Sequence, residues 1–344
     1  MDQTPFFTIG VPTFNRAEFL RECLANLLQQ TFDDFELIVA DDHSTDHTPD
    51  VVSSFHDPRL RCVRHEHNLG VVNNFRFLLR EARGHYFALN QDDDLLHHEF
   101  LRRCHQTVTR DPDVVVYASP WWRGAACDGL NAKLMTVGFD SLNSILRDQP
   151  LILDGSRAVV SMLYSFHFMH PSLVLRTDDF RAAGGYAEVA TPVSDLLGTA
   201  RTLVQGRLAY DPRAGAIFRD HGGNYSANMS PTERRQRHID RYAPLIAELE
   251  SHRVDWRAHL AEDLGRMALH HRLDILRQWV RARAPTSLVH IGWQSVRNTP
   301  GVTPRRLRKM MRRRLGWRNT LRFMLTRLRA AVGVQPPNAP GRGD

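Results

Sequence analysis

Two short apolar runs in this chain each end on a cluster of acids, and this constrains the fold more than any other feature. The run FELIVA at 35–40 is followed by Asp41 and Asp42, and HYFALNQ at 85–91 is followed by Asp92, Asp93 and Asp94. Short apolar runs set between amphipathic stretches are strands buried on both faces, which predicts a mostly parallel sheet flanked by helices. In an open sheet of that kind the ligand crevice lies at the carboxyl ends of the strands. Carboxylates gathered there repel one another, so each requires a cation or a hydrogen-bond donor. A divalent metal carrying a diphosphate supplies the first, and a nucleobase and ribose supply the second. The acids therefore predict a metal-dependent site for an activated nucleotide, with a nucleotide sugar as the expected form.

The rest of the first half fits alternating strands and helices. Residues 6–11 read as a first strand ended by Pro12, which lacks a backbone donor. Asn15 then caps a helix, with Glu18 three residues on in a capping-box arrangement. Leu20, Cys23, Leu24, Leu27 and Leu28 share one face of that helix at spacings of three and four. Further strands are predicted over 59–64, 85–90, 113–118, 167–176 and 207–210, and helices over 73–83, 98–109 and 194–205. The stretch 121–153 is loosely patterned and suits loops and a substrate-facing insertion. Residues 231–283 read as helical and amphipathic, and Pro285 and the 299–304 segment as breaks.

Cysteine spacing excludes two classes. Cys23, Cys62, Cys104 and Cys127 form no CxxC pair, which argues against a zinc site and against a secreted disulfide framework. The opening MDQTP lacks the basic and apolar regions of a signal peptide, and no run of about 18 apolar residues occurs. The expected location is the cytosol, or the inner face of a membrane as a peripheral protein.

Three segments carry a family resemblance: VPTFNR at 11–16, ADDHSTD at 40–46 and NQDDDL at 90–95. Together with GGYAE at 184–188, Ser194-Asp195 and RDHG at 219–222, in the same order, they resemble the family 2 glycosyltransferases of the GT-A fold. The resemblance covers residues 6–226. It implies an α/β, Rossmann-like domain with a mostly parallel central sheet, here followed by an α-helical C-terminal extension. It also implies inverting transfer of a sugar from a nucleotide diphosphate sugar to an acceptor hydroxyl.

The same resemblance assigns roles. Pro12, Thr13, Phe14, Asn15 and Arg16 would line the nucleotide site, with Phe14 stacked on the base where the family often has Tyr. Asp42, and less directly Asp41, would accept the imide N–H of uracil or thymine, which favours UDP or dTDP donors; a turn or helix cap is the alternative for the pair. Asp92 would hold the ribose, while Asp93, Asp94 and His221 would hold Mg2+ or Mn2+, hard ions suited to oxygen ligands. The usual first acid of the family's D-x-D falls here on Asn90 or Gln91, so the register within 90–94 stays open. Asp195 falls at the first turn of a helix, where the family places its catalytic base; Ser194-Asp195 is also a good helix start in its own right. His170 and Pro171 would line the acceptor site.

By these readings residues 1–120 form the nucleotide-sugar half of the domain and 121–230 the acceptor and catalytic half. Residues 231–284 form a helical extension and 285–344 a basic tail with a disordered end. That tail carries 13 Lys or Arg and one acid, net +12 in a chain of net +7, which leaves −5 on the other 284 residues. Basic residues interleave with Leu307, Met310, Met311, Leu315, Phe323, Leu325 and Leu328, so 305–331 reads as a basic amphipathic helix for an anionic membrane surface. Nucleic acid is the competing ligand of such a patch and is not expected here. The expected acceptor is a glycan or lipid-linked hydroxyl, in bacterial-type surface glycan assembly. The alternatives are a nucleotidyltransferase, whose Gly-rich phosphate loop is missing, and an inactive GT-A scaffold with a lipid- or nucleic-acid-binding tail.

Overall fold

The computed structural model describes residues 4–124, 133–134, 150–164, 170–186, 194–213, 215–219, 221, 230, 233, 236, 240–300 and 303. It divides into two compact units, residues 1–229 and 230–344.

The first unit begins with β1 (Phe7–Thr13), α1 (Ala17–Leu28), β2 (Phe35–Asp41), α2 (Thr48–Ser53), β3 (Leu60–Arg64), α3 (Val71–Glu81) and β4 (Tyr86–Leu89). Then come β5 (Leu95–Leu96), α4 (Phe100–Val108), β6 (Val114–Ala118), β7 (Trp121–Gly124), β8 (Lys133–Leu134), β9 (Leu151–Asp154) and α5 (Gly155–Met162). It closes with β10 (Leu173–Arg176), α6 (Thr177–Ala182), α7 (Ser194–Leu203), β11 (Arg207–Tyr210) and β12 (Ala216–Arg219). An eight-stranded sheet has the order β3-β2-β1-β4-β10-β6-β11-β9. The strands β3, β2, β1 and β4 all run parallel, and β10 enters antiparallel between β4 and β6. A second sheet has the order β5-β12-β7-β8.

Side-chain alternation along β1 explains how both faces close. Phe7, Ile9 and Val11 join the core with Leu20, Cys23, Leu24 and Leu27 of α1, all fully buried. Each such side chain contributes roughly 2 kcal/mol by leaving water. Gly10 points to the other face, where a Cβ would lie 3.1 Å from that of Leu78 on α3.

Pro12 does not end the first strand, which continues through Thr13 in register with Ala40 and Asp41 of β2. Pairing with β4 has already stopped at Gly10 opposite Leu89, where Asn90 N–H donates to the Gly10 carbonyl. The donor that Pro12 lacks therefore faces a side with no strand to receive it. Asn15 is not the cap of α1 either. The cap residue is Arg16, and Asp46 Oδ2 accepts from Ala17 N–H at 3.1 Å. Asn15 instead adopts a positive φ of 54° and its Oδ1 accepts from Thr45 N–H at 2.7 Å. Glu18, read as part of a capping box, pairs with His47 at 2.6 Å.

The loosely patterned stretch 121–153 contains β7, β8 and most of β9; β8 pairs with its neighbour β7, while β7 and β9 pair with β12 and β11, which are distant in sequence. The second unit contains α8 (Tyr242–Ser251), α9 (Trp256–Arg266), α10 (Leu269–Arg281) and α11 (Thr286–Arg297). The expected continuous helical stretch is thus broken. Arg253 takes a positive φ of 57°, and the Asp255 side chain caps α9 by accepting from Ala258 N–H. Pro285, read as a break, is the cap residue from which α11 starts. Gly292 lets α11 lie against α10, since a Cβ there would sit 2.8 Å from the Trp279 ring. The predicted helix at 305–331 lies outside the described residues.

Candidate active site

The carboxyl ends of β1, β2 and β4 bring three sequence-predicted segments together. Thr13, the last residue of β1, accepts the Asp42 N–H on its carbonyl at 2.9 Å, and its hydroxyl donates to Asp92 Oδ2 at 2.8 Å. The loop at 14–16 and the turn at 42–46 interlock: Asn15 N–H donates to Ser44 Oγ at 2.9 Å while Asn15 Oδ1 holds Thr45. Phe14, carried on this loop, is 45% exposed, an unusual condition for a phenylalanine in so well buried a unit.

Asp41 and Asp42 are both buried but hold different neighbours. Asp41 Oδ1 accepts from Ser44 N–H at 2.9 Å, shaping the turn, and Arg64 lies 3.6 Å from its other oxygen. Asp42 accepts from Leu69 N–H at 2.6 Å and from Gly70 N–H at 3.0 Å, one on each oxygen. It thereby fixes the entry to α3, whose first residue Val71 is 58% exposed. Phe14 and Val71 therefore each follow directly on a residue bonded to Asp42. The sequence reading of Asp42 as a free acceptor overlooked these backbone amides. What it retains for a ligand is the second lone pair of each oxygen.

The acid turn after β4 is built around an amide. Asn90 donates its Nδ2 to the carbonyls of Gln91 at 2.9 Å and Asp94 at 3.1 Å, and to Cys23 Sγ at 3.3 Å. An acid at position 90 could not make these donations. Asp92 and Asp93 then face a common cation. Arg16 Nη1 lies 3.1 Å from Asp92 Oδ1 and 2.6 Å from Asp93 Oδ2, and His221 Nε2 lies 2.9 Å from that same Asp93 oxygen. His221 also stacks on Phe19, with ring centroids 4.3 Å apart. Burial pushes the Asp92 carboxyl up to about 6; Arg16 and Thr13 restrain the rise and Asp93 adds to it. Burial alone would lower the Arg16 guanidinium, but Asp92 and Asp93 outweigh it and hold the group raised.

Asp94 departs from its expected place among the metal ligands. It is fully buried, and its Oδ1 accepts the Arg219 N–H at 3.2 Å, which ties the turn to β12. Burial first, then Asp93, pushes its carboxyl well above the usual range, and its Oδ2 has no hydrogen-bond partner among the described residues. The sequence reading also missed Arg219, quoted only within a motif. Arg219 is 4% exposed, donates from Nε to the Asp93 carbonyl, pairs with Glu22 and lies over the Phe19 ring at 5.0 Å. It is the buried counter-charge beneath the acid turn, and its position on a late strand hid it from local pattern.

Asp195 is the second residue of α7, and its side chain lies outside the described residues. The helix itself is fixed by a close approach: a Cβ on Gly198 would sit 2.3 Å from the Gly185 carbonyl, and Gly185 has φ +56°. The Gly184-Gly185 turn thus packs closely against α7 at Gly198. His170 lies 3.4 Å through Nδ1 from Gln91 Nε2 and packs edge-on to Phe75 and Tyr186. Among the described residues the one group of three or more His, Cys, Asp or Glu with donor atoms all within 4.8 Å of one another is His97, His98 and Glu99. Glu99 is taken by Arg103 at 2.5 Å, however, and His97 Nδ1 accepts the Glu99 N–H, so this cluster serves its own turn.

The donor set at the acid turn fits a hard divalent ion. Asp93 Oδ2, with Asp92 beside it and the His221 imidazole opposite, offers oxygen donors with one nitrogen, and magnesium-like ions need few protein ligands because substrate phosphates complete the shell. The Arg16 guanidinium already sits on the Asp93 oxygen, so cationic occupancy is compatible with its surroundings.

Comparison with known proteins agrees with this geometry. Residues 8–156 match the sequence model of glycosyl transferase family 2. The chain is 30% identical over 112 residues to the glycosyltransferase GlyG of Streptococcus pneumoniae, a span covering 32% of this chain and 37% of that protein. The chain thus matches little more than a third of that relative's length. Residues 1–349 of S. aureus TarS, solved in complex with UDP-GlcNAc, superpose with a TM-score of 0.60 at 17% identity, covering 91% of this chain and 93% of that one. The Pyrobaculum calidifontis mannosyltransferase PcManGT, solved with GDP-Man and Mn2+, gives a TM-score of 0.54 at 16% identity over 97% of this chain and 88% of that one. Both likenesses show the GT-A fold. Over residues 8–156 the chain is thus similar to glycosyl transferase family 2.

Proposed function

We propose that the chain moves a sugar from a UDP or dTDP sugar to a hydroxyl of a glycan or lipid-linked acceptor, with inversion at the anomeric carbon. The observation that carries this reading is the meeting of Asp92 and Asp93 with Arg16 and His221 at the strand ends, beside Asp42 and the exposed Phe14. Phe14 would stack on the base, Asp42 would read its edge, and Asp92 would take a ribose hydroxyl. Pro12, Thr13, Asn15 and Asp41 shape this pocket, and Arg16 faces the diphosphate. Asp93 and His221 would hold Mg2+ or Mn2+, which when bound neutralises charge on the departing diphosphate. The acceptor oxygen attacks the anomeric carbon opposite the diphosphate, the bond from that carbon to the diphosphate breaks, and Asp195 takes the hydroxyl proton.

The nucleotide sugars in the TarS and PcManGT structures, and the Mn2+ in the latter, support the donor class and the metal. No described helix is long and apolar enough to cross a membrane, and the basic segment 305–331 supports a peripheral place on the inner face of the plasma membrane, in surface glycan assembly. A screen of UDP, dTDP, GDP and ADP sugars for Mn2+-dependent binding and hydrolysis tests the proposal. Uridine or thymidine donors should bind tightest, and hydrolysis should require the metal. Equal inhibition by ADP and UDP would remove base reading by Asp42, and metal-independent binding of every nucleotide would remove the whole assignment.

A further inference from the structure

Arg16 holds the position that a divalent ion on Asp93 would need. Its Nη1 lies 2.6 Å from Asp93 Oδ2 and 3.1 Å from Asp92 Oδ1, and His221 Nε2 lies 2.9 Å from the same Asp93 oxygen. A carboxylate oxygen has two lone pairs, and here Arg16 and His221 face that oxygen together. A hard ion would approach it to about 2.1 Å. It would then stand close to a guanidinium that remains charged at every ordinary pH.

Charge balance carries the argument further. Asp92 and Asp93 bring two negative charges and Arg16 returns one, so the ligand-free site is only singly negative. A bare divalent ion added to these three groups makes the site positive. A nucleotide-sugar diphosphate brings two negative charges, and the sum returns to one negative. Arg16 is able to make the exchange: it is the cap residue before α1, its side chain is 28% exposed, and the loop carrying it also carries Phe14.

We propose that Arg16 is a resident counter-cation that excludes free divalent metal from Asp92 and Asp93 and transfers to the donor diphosphate when metal and nucleotide arrive together. The inference rests on the nucleotide-sugar reading above and adds regulation to it: metal and nucleotide bind as a coupled pair, and Arg16 is the source of the coupling. Arg16 reaches both acids through a single nitrogen, so its point charge is what matters and a lysine can replace it.

The test is Mn2+ binding to the full chain, measured by loss of the free-ion electron paramagnetic resonance signal and by calorimetry, with and without UDP. Wild type should bind Mn2+ weakly alone and much more tightly with UDP. Arg16→Gln should bind Mn2+ alone on the order of tenfold or more tighter than wild type, the scale expected on removing one positive charge about 4 Å from a divalent ion. The same variant should show a smaller gain from UDP, and Arg16→Lys should behave as wild type. If wild type gains from UDP but Arg16→Gln binds free Mn2+ no tighter than wild type, the Arg16 inference is overturned and the function stands. Free Mn2+ bound as tightly by Arg16→Lys as by Arg16→Gln overturns it too, because charge is then not the cause. If no protein binds Mn2+ in either condition, the metal reading falls and the Arg16 inference falls with it.

Discussion

Asp93 receives Arg16 and His221 on a single oxygen, so its carboxylate gathers both groups at one point. Asp93→Asn keeps the shape and removes the charge. It should abolish Mn2+-dependent nucleotide binding while leaving the circular dichroism spectrum and Tm near wild type, and calorimetry with UDP and Mn2+ checks this. Asp92 gives a second handle at the same scale. Its carboxyl is raised from the usual 3.8 to about 6, chiefly by burial. A raised carboxyl favours the fold most below 3.8, and that favour is lost as pH rises through about 6, a swing on the order of 3 kcal/mol. For the ligand the sign reverses, because the ribose needs the carboxylate. Affinity for a nucleotide sugar, whose diphosphate does not titrate in this range, should therefore rise about tenfold per unit below pH 6 and level off above it. A flat profile between about pH 5 and 7.5 would mean that Asp92 does not touch the ligand. The neighbour Asp94 shows why three adjacent acids cannot be sorted by sequence: two of them meet Arg16, while the turn closed by Asn90 ties the third to the Arg219 N–H.

At the scale of elements, α7 links a glycine turn to the proposed base. Gly198 stands where a Cβ would meet the Gly185 carbonyl at 2.3 Å, so Gly198→Ala must shift α7 and with it the start that bears Asp195. Overpacking of this kind typically costs about 1–3 kcal/mol. The variant should lose Tm and turnover together while keeping UDP affinity, since the nucleotide residues sit on other strand ends. Asp195→Asn should keep both Tm and UDP affinity and lose about 10² to 10⁴ in kcat. Near-wild-type turnover in Asp195→Asn would reduce the residue to a helix cap. Elements with local signals were legible in the sequence: α1 from its spacing, β2 and β4 from their apolar runs. The pairing of β7 with β12 and of β9 with β11 joins segments far apart along the chain, and no local pattern announces it. Pro12 misled because its strand loses one neighbour at that residue, and Asn15 misled because the turn at 42–46, rather than α1, takes its side chain.

At the scale of the molecule, charge is the property that composition averages away. The last 60 residues carry +12 and the first 284 carry −5, so the net +7 describes neither part. Eleven basic residues and no acid lie between Arg305 and Arg329, with leucines, methionines and a phenylalanine interleaved. A basic residue near an anionic leaflet contributes about 1 kcal/mol, and the apolar residues add a part that salt does not screen. Full-length protein should therefore bind vesicles containing anionic lipid at low salt. Binding should fall as ionic strength rises, because the Debye length shrinks from about 10 Å at 0.1 M to about 3 Å at 1 M, and a residual fraction should persist through apolar contact. A chain ending at residue 299 should lose vesicle binding and keep its affinity for UDP with Mn2+, since every residue of the acid turn precedes the cut. Equal sedimentation of full-length and shortened chains with anionic vesicles at low salt would remove the membrane reading. Tighter binding of the full chain to nucleic acid than to vesicles would reassign the tail to that partner, while leaving the nucleotide-sugar site as it stands.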